Sequence, residues 1–355
     1  MRPLVIFHAD CADGFGAAFA AWTVLGDEAE YVPLGYDAGI GIDQLAAEFH
    51  TYRLVDMKGN FYVISTPEEK RDVYILDFSF KRPIMDFIFA HAKRVVWLDH
   101  HKTAFEMWCG GIPEKGWLSE LRNCTPDSPH GNIEIHLHNE KSGAMLAWEY
   151  FNPGTEVPML IKHIDDYDRW QFKIEGTKAF NKALWSYAPW NFEQWGEWLE
   201  SLTWNPDAHR QFIAEGSAIL RAHDQNVQSV VKGAARPCTI VNPDMARSMH
   251  ASVPPWVRGI GGRNHMGIYE HETVTGLAAN CPPHLTSDVG HELALRSGTF
   301  GLCWTLADEG LIAKCSLRSN GDYDVSSIAK SLGGGGHRNA AGFEVGMEVL
   351  LRWLK

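Results

Sequence analysis

Three apolar runs in the first third of the chain end in acids and imidazoles. Val95-Val96-Trp97-Leu98 runs into Asp99-His100-His101, Leu4-Val5-Ile6-Phe7 into His8, Asp10 and Asp13, and Val73-Tyr74-Ile75-Leu76 into Asp77. Short continuous apolar runs of this kind suit strands buried on both faces, as in parallel sheets covered by helices. A carboxylate or imidazole at the end of such a strand is costly unless it is paired or coordinates something. In an open parallel sheet, ligands gather outside the carboxyl ends of the strands. Three ends of this composition predict a metal-binding rim on an α/β enzyme.

At 355 residues the chain exceeds what one core usually supports. Strand-like runs alternate with helical patterns, and helices are expected over Gly14 to Trp22, Met85 to Ala92, Ser142 to Phe151 and Val157 to Asp165. This predicts a mostly parallel, doubly wound sheet domain over residues 1–205. Apolar Phe212, Ile213, Ile219, Leu220, Val227, Val230 and Val231 mark one long helix, so 206–236 reads as a helical linker. A smaller α/β domain is expected over 237–355, with strands at Cys238 to Val241, Gly276 to Ala279, Phe300 to Leu306 and Ile312 to Arg318. Helices at Thr286 to Ala294 and Val325 to Leu332 complete it.

The net charge of −12 argues against a protein that grips long duplex nucleic acid, which usually shows a basic footprint. It leaves room for a phosphate ligand, because bound divalent cations would reverse the sign of the Asp cluster. Apolar stretches such as Ala17 to Leu25 fall far short of the ~20 residues a membrane span needs. Seven cysteines, without a C-x-x-C pair, describe no disulfide framework. Together with an N-terminus that lacks a basic leader, they give a cytoplasmic expectation. Trp170, Trp185, Trp190, Trp195, Trp198 and Trp204 crowd one region, where packing between helices is favoured over a base-stacking platform.

His8, Asp10, Asp13, Asp77, Asp99, His100 and His101 mix carboxylates and imidazoles, a set that suits Mn²⁺ or a similar octahedral cation better than structural zinc. Two such ions about 3.5–4 Å apart would clamp an in-line displacement at phosphorus. Asp77 is the natural bridging ligand, because its strand is expected between the other two. The alternative for any one of these acids is a helix cap. Further along, Gly333-Gly334-Gly335-Gly336-His337 lets backbone approach a ligand closely and offers N–H groups to an anion. Arg338 and Asn339 follow with donors, and Arg318 carries a planar fork suited to phosphate. The alternative here is a flexible linker.

His8-x-Asp10-x-x-Asp13-Gly14, Asp77 in Leu-Asp-Phe-Ser and Asp99-His100-His101-Lys102-Thr103 resemble the first three motifs of the DHH phosphoesterase superfamily. Ile164-Asp165-Asp166-Tyr167-Asp168-Arg169-Trp170 resembles the fourth. Ser316-Leu317-Arg318-Ser319 and Gly333 through Phe343 resemble the binding motifs of the DHH-associated C-terminal domain. The resemblance implies two Mn²⁺ ions, with Mg²⁺ or Co²⁺ as substitutes. It implies His8, Asp10 and Asp77 around one, and Asp13, Asp77, His100 and Asp166 around the other. Asp77 and His101 would be catalytic, His101 facing the scissile phosphate. Arg318, Ser319, Gly334, Gly335, Gly336, His337, Arg338 and Asn339 would bind substrate. The active site would lie in the interdomain cleft.

Relatives place the two carboxylates of the first motif two residues apart. Here Cys11 and Ala12 separate them, so Asp10 is a less secure ligand than Asp13, and Cys11 is a conceivable substitute. In the fourth motif Asp165, Asp166 and Asp168 are all available, and Asp166 is chosen by register. The function implied is a phosphodiesterase of the nanoRNase kind, cutting short single-stranded RNA or DNA oligomers to mononucleotides with hydroxide activated by two metals. The rivals are a phosphodiesterase acting on cyclic dinucleotides or other small nucleotides, and a catalytically inactive nucleotide sensor. No membrane partner is expected, and a homodimer is compatible with the chain.

Overall fold

In the computed structural model the described residues are 1–36, 38–111, 117–118, 133–241 and 273–354. His250, His265 and His271, which the sequence leaves unassigned, lie outside them. The chain divides into two compact units, Met1–Leu220 and Arg221–Lys355.

The first unit is built on strands β1 (Leu4–His8), β2 (Glu30–Leu34), β6 (Asp72–Leu76), β7 (Arg94–Asp99), β8 (Trp117–Leu118) and β9 (Ile133–His138). They run in the order β2-β1-β6-β7-β9-β8, and every neighbouring pair is parallel except β8–β9. Strand β6 therefore sits between β1 and β7. The chain passes from β1 outward to β2 on one side and later fills the other side from β6. The crevice at the carboxyl ends of β1 and β6 is thus the switch point where an α/β sheet binds ligands.

Side chains of the central strands alternate between two cores. Val5, Phe7, Leu76, Val96 and Leu98 pack under α1 (Ala12–Leu25), α5 (Gly143–Phe151), α6 (Met159–Asp168), α7 (Thr177–Ser186) and α8 (Phe192–Trp204). Leu4, Ile6, Val73, Ile75, Val95 and Trp97 face α3 (Arg82–His91) and α4 (Lys102–Cys109). Burial on both faces explains why these strands read as unbroken apolar runs.

Two elements go beyond the sequence expectation. Strand β2 carries Pro33 and shows too weak a pattern. A three-stranded antiparallel sheet of β3 (Gly41–Ile42), β4 (Tyr52–Val55) and β5 (Phe61–Ser65) occupies the segment between β2 and β6. The tryptophan region packs, as favoured: Trp195 is fully buried among Phe15, Phe19, Trp190 and Trp198, although Trp204 is exposed.

Helix α9 (Pro206–Ala234) runs from the first unit into the second. The second unit carries a sheet of β10 (Arg236–Val241), β11 (Thr273–Asn280), β12 (Phe300–Ala307), β13 (Ile312–Ser319), β14 (Gly335–His337) and β15 (Ala340–Gly346). Its order is β10-β11-β12-β13-β15-β14, parallel only between β11 and β12. Its helices are α10 (Thr286–Ser297), α11 (Val325–Ser331) and α12 (Met347–Trp353). Among the described residues, no helix is long and apolar enough to cross a membrane.

Candidate metal centre

The carboxyl ends of β1, β6 and β7 gather two sets of potential ligands. His8, Cys11 and Asp77 form one, and Asp13, Asp77 and His100 form another, with the ligand atoms in each set within 4.8 Å of one another. Asp77 is common to both. A third set, Asp77, Asp99 and His101, adjoins them.

Asp77 follows β6 with φ 51°, a left-handed conformation uncommon for a residue with a Cβ and typical of functional sites under strain. It is 1% exposed. Its Oδ1 is ion-paired with His100 Nε2 at 3.1 Å and accepts no well-aligned hydrogen bond among the described residues. Its Oδ2 lies 3.7 Å from His8 Nδ1. Burial works against its charge, but His100 and His8 hold the carboxyl well below the usual carboxylate range. A buried carboxylate oxygen with only a poorly aligned imidazole beside it is under-satisfied, and a cation would complete it.

Asp13 lies in the first turn of α1 and is buried. Its oxygens accept the backbone N–H groups of Gly143 at 2.7 Å and Ala144 at 2.8 Å, at the N-terminus of α5. His100 Nε2 is 3.5 Å from Asp13 and 3.7 Å from Asp168. Burial, Asp77 and Asp168 push the Asp13 carboxyl well above its ordinary value. Burial would lower His100, but Asp168, Asp77 and Asp13 raise it well above that of ordinary imidazole. So much negative charge around so few donors is the electrostatics of a cation site.

Asp99 is fully buried and acts differently. It accepts the backbone N–H groups of His100 and His101, the Ser79 hydroxyl, and His101 Nδ1 at 2.6 Å. The carboxylate fixes the proton of the His101 imidazole on Nδ1 and, against burial, raises its pKa. Asp99 thus orients His101.

Two expected ligands belong to neither set among the described residues. Asp166 is buried, but it accepts from the Lys173 and Ile174 backbone and from the Thr177 hydroxyl, which closes the turn into α7. Asp165 accepts from Ser142 N at the start of α5. The acid facing His100 is Asp168, one helical position that register alone could not choose. Asp10 is exposed, with φ 50°, and shares none of the ligand sets, whereas Cys11 does.

Residues that no sequence motif marks support the centre. A Cβ on Gly143 would stand 2.3 Å from Asp77 Cβ and 2.7 Å from Oδ1, so α5 can approach Asp77 only with glycine there. Gly143→Ala should therefore displace Asp77 and lower metal content and kcat/KM at least about tenfold, the loss that disturbing an outer partner of a metal ligand brings. Unchanged metal content in that variant would show that the contact is slack. The Tyr36 ring stacks on Phe78 at 4.7 Å and stands 5.2 Å from His8 while remaining 54% exposed, an aromatic edge to the site without any signal in the sequence pattern.

In the second unit the last two glycines of the run, Gly335 and Gly336, lie in a strand. Gly335–His337 pairs with β15, and a Cβ on Gly334 would meet the Gly342 carbonyl at 1.9 Å, so these glycines serve close strand packing and not a slack linker. Arg318 on β13 donates to Ser287 Oγ at 2.9 Å and to the Leu317 carbonyl. Ser319 donates to the Tyr323 carbonyl, Asn339 to Ser319 Oγ and the Gly321 carbonyl, and Arg338 to the Asp322 carbonyl. Those three residues tie the β13–α11 turn.

No protein-family model matches the chain. A protein of Acanthamoeba polyphaga mimivirus named uncharacterized protein R106 is 26% identical over 342 residues, which cover 96% of this chain and 66% of that protein. The chain thus spans a little less than two-thirds of that relative. Solved structures similar to it include the DHH domain of a member of a ribosomal-protein family, with TM-score 0.49 and 15% identity over 99% of this chain and 85% of that one. The pGpG-specific phosphodiesterase PggH from Vibrio cholerae gives TM-score 0.41 and 9% identity over 99% and 96%. RecJ from Thermus thermophilus in complex with Mn²⁺ gives TM-score 0.41 and 12% identity over 99% and 50%.

Proposed function

We propose that the chain is a metal-dependent phosphodiesterase of the DHH type, acting on short single-stranded oligonucleotides and releasing mononucleotides. The observation that carries this reading is the pair of ligand sets sharing buried Asp77 at the switch point of the sheet. The four DHH-like motifs meet there through His8, Asp13, Asp77, His100 and Asp168.

His8, Asp77, Asp13, His100 and Asp168 would hold two divalent cations, with Mn²⁺ preferred and Mg²⁺ or Co²⁺ as substitutes. When bound, such cations polarise a phosphoryl oxygen and lower the pKa of water. His101, its Nδ1 proton held by Asp99, presents its remaining ring nitrogen as a proton donor or as a stabiliser of charge on the departing oxygen. Tyr36 offers a face to a nucleobase or other planar group beside the centre.

The test is product analysis. Metal-depleted protein, with and without added Mn²⁺, would be offered labelled RNA and DNA ladders from di- to decanucleotide, alongside cyclic dinucleotides. Mononucleotides released from the shortest oligomers only when Mn²⁺ is added support the reading. Hydrolysis confined to cyclic dinucleotides would reassign the substrate, and no metal-dependent hydrolysis of any of them would sink it.

Arg318 would hold a non-scissile phosphate. Arg318→Ala should then keep the metals and lose about 1.5–3 kcal/mol of transition-state stabilisation on a 5′-phosphorylated dinucleotide, the worth of a charge-assisted hydrogen bond. A phenyl phosphodiester, which has no outer phosphate, should show little change. Equal losses on both substrates would place Arg318 in the chemical step.

A further inference from the structure

We propose that Cys11 is a thiolate ligand of the metal centre, completing with His8 and Asp77 one of its two cation positions and favouring a thiophilic ion such as Zn²⁺ there. The inference rests on the reading of these ends as a metal centre but not on the identity of the substrate. It departs from an all-carboxylate and imidazole set, and that departure has a physical consequence.

Cys11 is the last residue before α1, between His8 at the end of β1 and Asp13 in the first turn of the helix. Its sulfur lies within 4.8 Å of ligand atoms of both His8 and Asp77. The carboxylate expected in that place, Asp10, is exposed and belongs to none of the ligand sets among the described residues. The independent observation is the gap between the other two members: Asp77 is 1% exposed, and its Oδ2 stands 3.7 Å from His8 Nδ1, beyond hydrogen-bond reach.

Coordination would make the sulfur a thiolate, because a metal-bound thiol is deprotonated outright. The thiol proton is released to solvent as the sulfur–metal bond forms, so uptake of the ion liberates acid. Thiolate is a soft ligand and selects zinc-like ions where carboxylate and water suit Mn²⁺ and Mg²⁺. One half of the centre would then prefer a different ion from the half made of Asp13, Asp77 and His100.

The experiment uses the full chain, stripped with a chelator and reloaded with Co²⁺. A sulfur-to-cobalt charge-transfer band in the near ultraviolet is expected, lost in Cys11→Ser and kept in Cys109→Ser. Cys11→Asp should take up cobalt without the band and bind Zn²⁺ at least about tenfold more weakly, the loss that even an outer partner brings. Because a serine variant can misfold, a second measurement uses the wild type: bound Zn²⁺ should protect Cys11 from alkylation by iodoacetamide, read by peptide mapping. Cobalt uptake without the band, a band that survives Cys11→Ser, or alkylation indifferent to Zn²⁺ would each overturn the assignment. Oligonucleotide hydrolysis by a protein lacking the band would leave the phosphodiesterase reading standing without Cys11. A band without hydrolysis would do the reverse, and no cobalt uptake would remove both.

Discussion

Asp77→Ala should empty both cation positions at once and abolish hydrolysis. Asp77 is the one residue common to the His8 and His100 ligand sets, and it ends the strand that lies between the other two. Loss of a bridging carboxylate would leave two cations close together with less charge between them. Metal analysis of the native protein should fall from about two equivalents to well under one, with activity lost in step. The fold should survive, because the side chain makes few hydrogen bonds that hold backbone, and the acids left behind can take up protons. A variant that retains two ions and wild-type turnover would remove Asp77 from the centre.

His101→Ala should separate chemistry from metal binding. Its Nδ1 is engaged by Asp99 at 2.6 Å, which orients the ring while Asp13, Asp77 and His100 form a ligand set that does not need it. Metal content should remain near that of the wild type, and kcat should fall by roughly 10²–10⁴, the usual worth of a positioned acid–base group. His100→Ala should instead lower metal occupancy. Equal loss of metal in the two variants would show that neighbouring imidazoles share one role. Asp99→Asn offers a milder version, since the amide can still accept at Nδ1–H but no longer raises the imidazole pKa.

Much of the architecture was legible because the buried parallel strands announce themselves. Leu4 to Phe7, Val73 to Leu76 and Val95 to Leu98 are apolar on both faces, and the polar residues directly after them fall at the carboxyl ends of adjacent strands. Such a run needs only local pattern to be recognised. The β3–β5 sheet had no comparable signal, since its strands are short and only partly buried. The glycine run signals a close approach without naming the group that makes it, because glycine permits close approach of any group. Here the group that approaches at Gly334 is the β15 backbone.

The sequence by itself determined the residue types at the rim and the strand ends that carry them, because side-chain period and chain direction are local properties. It also narrowed the first and fourth motifs to a few neighbouring groups, Asp10 or Cys11 and Asp165, Asp166 or Asp168. Which of these stand beside Asp77 and His100 only the tertiary structure decided. Each helical residue turns its side chain by about 100° relative to the last, so neighbouring acids point in different directions and meet different partners. Asp165 meets the backbone of Ser142, Asp166 meets Thr177, and Asp168 meets His100. Likewise the left-handed turn at Asp10 leaves that acid exposed and Cys11 beside Asp77. No one-dimensional spacing contains the approach of α5 that makes Gly143 and Ala144 partners of Asp13, for that contact joins residues 130 positions apart.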